Sequence, residues 1–141
     1  MLEAYPKQVR LVFKQFPLSF HKFAHPAALA SLAARKQGKF WEMHDKLFEN
    51  HGALGDPQGN GRFSAFAKEL GLDVMIFEKT LKDPALEAAI VKDMKDGADA
   101  EVTGTPAVYV NGRKVANRSL EGFKAMIDEQ LGKKKSPAGS T

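Results

Sequence analysis

Side chains able to do chemistry are few in this chain. Its 141 residues contain no cysteine, so no disulfide, thiolate nucleophile, CxxC redox pair or cysteine-based zinc site can form within them. Among the four histidines, His21 and His25 are four apart, a spacing that can hold zinc on a helix face. Pro26 puts His25 at a helix start and leaves His21 in the preceding loop, and no His-Glu-x-x-His run occurs. No metal site is expected. His44 is expected in the interior or at an interface, on the helix that carries Trp41. The Gly52–Gly61 loop lacks the Gly-Lys-Ser/Thr ending of a phosphate loop, and no serine sits in a Gly-x-Ser-x-Gly elbow. Glu87 with Asp93 and Asp96 with Asp99 read as ordinary helix surface, since acid–base work needs a pocket around such pairs. No cofactor is expected.

One stretch organises the rest, Thr103-Gly-Thr-Pro-Ala-Val-Tyr-Val-Asn-Gly-Arg-Lys-Val115. Ala107–Val110 is a short β-prone run. Asn111-Gly112 supplies the two positive-φ residues of a type I′ turn, so Arg113–Val115 returns as a second strand. Pro106 lacks an N–H and must begin a strand rather than lie inside it. From these residues alone two readings stay open: a strand opened by a cis-proline, or an ordinary hairpin behind a trans proline.

The elements that must position this stretch follow from periodicity and punctuation. Val9–Phe16, with Leu11-Val12-Phe13 continuous at its centre, predicts a strand covered on both faces, ended by Pro17. Helices are predicted over Ala27–Gln37, Phe40–Phe48, Phe63–Leu70, Val74–Leu81 behind an Asp73 cap, Asp83-Pro84 to about Val102, and Ser119–Leu131. Phe40, Trp41, Met43 and Phe48 sit at helical spacing and are expected in the core. Lys133–Thr141 has no apolar anchor and is expected to be a disordered tail. The order is strand, several helices, two hairpin strands, helix, which is an α/β arrangement. A chain of this length holds one domain with a core. The net charge is +4, but Lys133, Lys134 and Lys135 supply three of those charges, and the remaining charges are mixed; nucleic acid is not an expected partner. No run approaches the roughly 20 apolar residues of a membrane span, and no export signal opens the chain.

Taken together these segments resemble the DsbA-like branch of the thioredoxin superfamily. Val9–Leu18 is similar to the strand that follows the family's active-site helix. His25-Pro26-Ala-Ala, Gln37–Phe48 and Leu70-Gly-Leu-Asp73 are similar to its helical insertion, and Thr103–Pro106 through Asn111-Gly112 to its cis-proline segment and hairpin. The resemblance runs over residues 1–132 as one domain. It implies that the backbone at Gly104, Thr105 and Pro106 pairs with an extended peptide or unfolded protein, a form of strand addition.

The chain also departs from that family. The first strand and the CxxC-bearing helix start would precede Leu2–Pro6 and are absent from the sequence. The resemblance therefore implies a truncated thioredoxin-like fold whose sheet lacks a central strand, leaving unpaired N–H and C=O groups. Three repairs are expected as alternatives: Val9–Phe16 shifts into the vacant slot, two chains pair as a homodimer, or a longer protein supplies the unit. Thiol–disulfide exchange needs a thiolate and a disulfide, so this chain is expected to be a non-catalytic interaction or structural module. The alternative is a fragment of an oxidoreductase whose CxxC unit lies outside these residues. A cytoplasmic location is expected for the chain as written, and an exported one if an N-terminal segment is missing.

Overall fold

The computed structural model describes residues 2–56 and 61–132. The expected tail, 133–141, lies outside the described residues, as do residues 57–60 of the glycine-rich loop. The chain divides into two compact units, Lys14–Glu101 and Met1–Phe13 with Val102–Thr141.

The Lys14–Glu101 unit is helical: α1 (Ala24–Arg35), α2 (Phe40–Glu49), α3 (Phe63–Glu69), α4 (Val74–Thr80) and α5 (Pro84–Asp99). Its helix starts are written locally. The Asp73 side chain accepts from the Ile76 N–H, and Asp83 accepts from the Ala85 N–H ahead of Pro84 at the first helical position, satisfying donors that no helical carbonyl can reach. Gly71, at φ +74°, turns the chain out of α3 in a conformation costly to any residue with a Cβ. The alanine-rich α1 packs against α2, α3, α4 and α5. Ala30, Ala33 and Ala34 are fully buried, and small side chains let several helices approach one axis closely. Phe66, Phe77, Met43 and Ile90 are the largest fully buried side chains.

Three expectations are corrected here. Val9–Phe16 forms no strand, and it does not shift in to pair with the hairpin: among the described residues the sheet has two strands. A ladder requires a partner, and apolar composition cannot supply one. Instead, within Lys14–Glu101, polar groups dock the start of the unit. The Gln15 N–H donates to Asp93 Oδ2 at 2.9 Å. The buried Gln15 side chain donates to Ser31 Oγ at 2.8 Å, and Ser31 in turn donates to the Ala28 carbonyl. Lys14 Nζ reaches Asp93 at 3.2 Å and Asp96 at 2.6 Å. Of the acids read as ordinary helix surface, Asp93 and Asp96 therefore anchor this segment. Lys14 and Lys92, by hydrogen bond and charge, hold the Asp96 carboxyl down at about 2, below the usual carboxylate range.

Second, the α2 aromatics are not all core. Met43 and Leu47 are buried, whereas Trp41 is 42% and Phe48 62% exposed. The helical period tells which side chains share a face, not how much of that face its neighbours cover. Third, of the two places expected for His44 the interior is excluded: it is half-buried, packs against the Trp41 and Phe48 rings at 5.3 and 4.7 Å and meets Asp45 at 2.9 Å.

The other unit holds a 3₁₀ turn (Leu2–Ala4), β1 (Tyr109–Val110), β2 (Arg113–Lys114) and α6 (Leu120–Gln130). Asn111 and Gly112 take φ of +46° and +78°, which matches the two left-handed residues of a type I′ turn. Strands pair antiparallel, Tyr109 with Lys114 and Val110 with Arg113. Ser119 caps α6 by accepting from the Gly122 N–H. Tyr5, Val115 and Ile127 are buried. Burial raises the Tyr5 phenol above its usual value, and its hydrogen bond to Asp128 Oδ1 at 2.9 Å adds to the rise.

Candidate functional site

Gly104, Thr105 and Pro106 lie in the loop between α5 and β1, ahead of the hairpin that the turn chemistry encodes. The Thr105–Pro106 peptide is cis. Thr105 and Pro106 are exposed and Gly104 is half-buried. All three line a cavity of about 360 Å³, together with Thr103, Lys114 and Arg118. Ala107, Val108, Val115 and Ala116 complete an apolar wall.

The hairpin shapes this cavity by nonlocal bonds. The Val115 N–H donates to the Val108 carbonyl at 2.8 Å, extending the pairing beyond β2 and holding the return strand against the Pro106 loop. Arg118 Nη1 donates to the Pro106 carbonyl at 2.7 Å, so the guanidinium is fixed on the loop that carries Gly104–Pro106. On the far side of the hairpin, Arg113 Nη1 donates to Glu129 Oε1 at 2.8 Å and Asn111 Nδ2 to Gln130 Oε1 at 3.2 Å. These two contacts tether the turn to α6.

Sequence reasoning singled out the loop but not Lys114 or Arg118, which complete the cavity. A signal was available in the hairpin register. Once Asn111-Gly112 is taken as the turn, Lys114 must stand opposite Tyr109, and the chain after it must run back past the loop.

The remaining chemical candidates do not join this cavity. His25 Nε2 pairs with Glu87 at 2.8 Å, and His51 Nδ1 lies 2.9 Å from the Phe48 carbonyl. His21 stacks against Phe20 at 4.5 Å. Among the described residues no group of three or more metal-ligating side chains converges, and no helix is long and apolar enough to cross a membrane.

The thioredoxin family model matches residues 1–129. The chain belongs to the thioredoxin family. It is a thioredoxin-like domain, mixed α/β, with helices and a small two-stranded sheet. It is also similar to proteins named as Na(+)/H(+) antiporters. The NhaA 1 protein of Salinispora arenicola is 41% identical over 108 residues, covering 75% of this chain and 16% of that protein. The NhaA 3 protein of Salinispora tropica is 39% identical over 108 residues, covering 75% and 16%. The NhaA protein of Herminiimonas arsenicoxydans is 34% identical over 107 residues, covering 76% and 16%. The chain spans 16% of the length of these curated relatives. No solved structure matches.

Proposed function

We propose that this thioredoxin-like domain belongs to the DsbA-like branch and acts as a non-catalytic interaction module that holds extended peptide at Gly104, Thr105 and Pro106. The observation that carries this reading is the cavity of about 360 Å³ at that loop, in a chain whose 141 residues hold no cysteine. Thiol–disulfide exchange proceeds by thiolate attack on a disulfide sulfur, so these residues by themselves can bind but cannot exchange. Strand addition draws affinity from main-chain hydrogen bonds and specificity from pockets for alternate side chains. A two-stranded hairpin beside a cavity suits that mode, because a short sheet has edges still able to pair.

Titrating the isotope-labelled chain with a neutral, end-blocked extended peptide tests the reading by NMR. Saturable amide shifts over residues 103–108 are expected. Their absence at millimolar peptide removes the groove.

The same open edges favour a homodimer, in which one copy supplies strand partners to the other. Exposed Leu11 and Val12, in the stretch whose composition predicts a strand, are the surface such pairing would cover. Light scattering at micromolar concentration should report twice the monomer mass, and a monodisperse monomer overturns it.

A second reading is that the domain is one module of a longer polypeptide, which would supply the missing βα unit and its CxxC. It is favoured by the extent of the match, 75% of this chain against 16% of the antiporter relatives. Intact mass of the protein purified from its source decides between them. A mass near 15.5 kDa supports the free module; a larger mass that increases on alkylation after reduction supports the longer oxidoreductase.

A further inference from the structure

Two cations converge on the cavity, and neither is neutralised. Lys114 and Arg118 both line it, and no carboxylate does. Both side chains are exposed, and among the described residues neither makes an ion pair. Several other cations are held in ion pairs. Arg113, one residue from Lys114 on β2, is taken by Glu129, and Lys14, Lys39, Lys46, Lys92 and Lys95 all pair with acids. The two at the cavity are left available.

The geometry points to a groove that selects extended peptides bearing a carboxylate. This rests on the peptide-binding reading above and names the class of peptide. Arg118 spends one N–H on the Pro106 carbonyl. That bond holds the guanidinium at the same loop whose backbone would pair with the peptide. The four remaining donors form a planar fork suited to two carboxylate oxygens. Lys114, opposite Tyr109 in the ladder, adds a point charge from the return strand. Peptide backbone at Gly104–Pro106 and carboxylate at Lys114 and Arg118 would thus be read within one cavity, while a lysine there would meet two like charges. Exposed pairs contribute little individually, so the effect is one of selection among peptides more than of raw affinity.

The test uses the full chain and four short extended peptides of one sequence. Three are blocked at both ends and differ only at a central Glu, Gln or Lys; the fourth carries Gln and a free C-terminal carboxylate. NMR titration gives both Kd and the residues perturbed. The Glu peptide should bind about threefold to fivefold more tightly than the Gln peptide at low salt, and the Lys peptide most weakly. Raising salt to about 0.5 M should shrink that preference by screening. Lys114→Gln should reduce it, Lys114→Glu should abolish or invert it, and Arg118→Gln should reduce it while also releasing the Pro106 carbonyl. Tighter binding of the fourth peptide than of its blocked counterpart also supports carboxylate selection and identifies the chain terminus as a source. Equal binding of the blocked Glu and Gln peptides and of the fourth, with shifts over residues 103–108, overturns the selection and leaves the peptide groove standing. No binding by any peptide overturns the groove and the selection together. Lys114 is exposed and outside the core, so its variants keep the test decisive even if Arg118→Gln fails to fold.

Discussion

Phe77→Ala should be the most informative lesion in the helical unit. Phe77 is fully buried and is the one buried residue of α4. Its neighbours on the helix, Met75 and Ile76, are 83% and 52% exposed, so Phe77 is the main apolar anchor of α4, joined only by Leu81 at the C-cap, which is partly buried against the core. Burying an aromatic ring removes about 150 Å² or more from water, which at ~25 cal/mol per Å² is about 4 kcal/mol as an upper estimate. The truncation also leaves a cavity that the partly buried Leu81 is too small to fill. A cost of about 3–5 kcal/mol is expected, a large fraction of a domain's total stability. Met75→Ala on the same helix should change stability by no more than ~0.5 kcal/mol. Urea unfolding followed by Trp41 fluorescence suits the measurement, because the single tryptophan sits on α2 in the same unit. A Phe77→Ala cost below about 1 kcal/mol, or an equal cost for Met75→Ala, would refute Phe77 as the main anchor of α4.

Two further outcomes follow from named contacts. Lys14 and Lys92 hold the Asp96 carboxyl down at about 2, below the usual carboxylate range, so its contribution to stability is present above about pH 4 and is lost as pH falls through 2. Asp96→Asn should therefore be less stable than the parent near neutrality, and the gap should close in urea titrations taken down to about pH 2; a gap that persists there excludes the ion pairs as its source. Gly122 lies in the first turn of α6, where an added Cβ would press on the Asn117 backbone oxygen. Gly122→Ala must push the chain before Ser119 aside and should cost about 1–3 kcal/mol; thermal unfolding of the variant within 1 °C of the parent would contradict the close approach.

What could be read from the chain by itself is what short-range physics encodes. Asp73, Asp83 and Ser119 cap the helices that follow them because a cap is satisfied within three residues. Asn111-Gly112 forms the turn because positive φ is an intrinsic preference. The absence of cysteine excludes thiol chemistry from these residues whatever the fold. The thioredoxin relationship was legible through the order of these local signals. Tertiary structure alone decided the rest. Val9–Phe16 has strand composition but forms no strand, since a ladder depends on a partner elsewhere. Trp41 and Phe48 share the period of core residues yet are exposed, since coverage is set by neighbouring helices. Lys114 and Arg118 became part of the Gly104–Pro106 cavity only because the hairpin reversed and the Pro106 carbonyl accepted from Arg118. Charge and composition name such groups; only the folded chain brings them together.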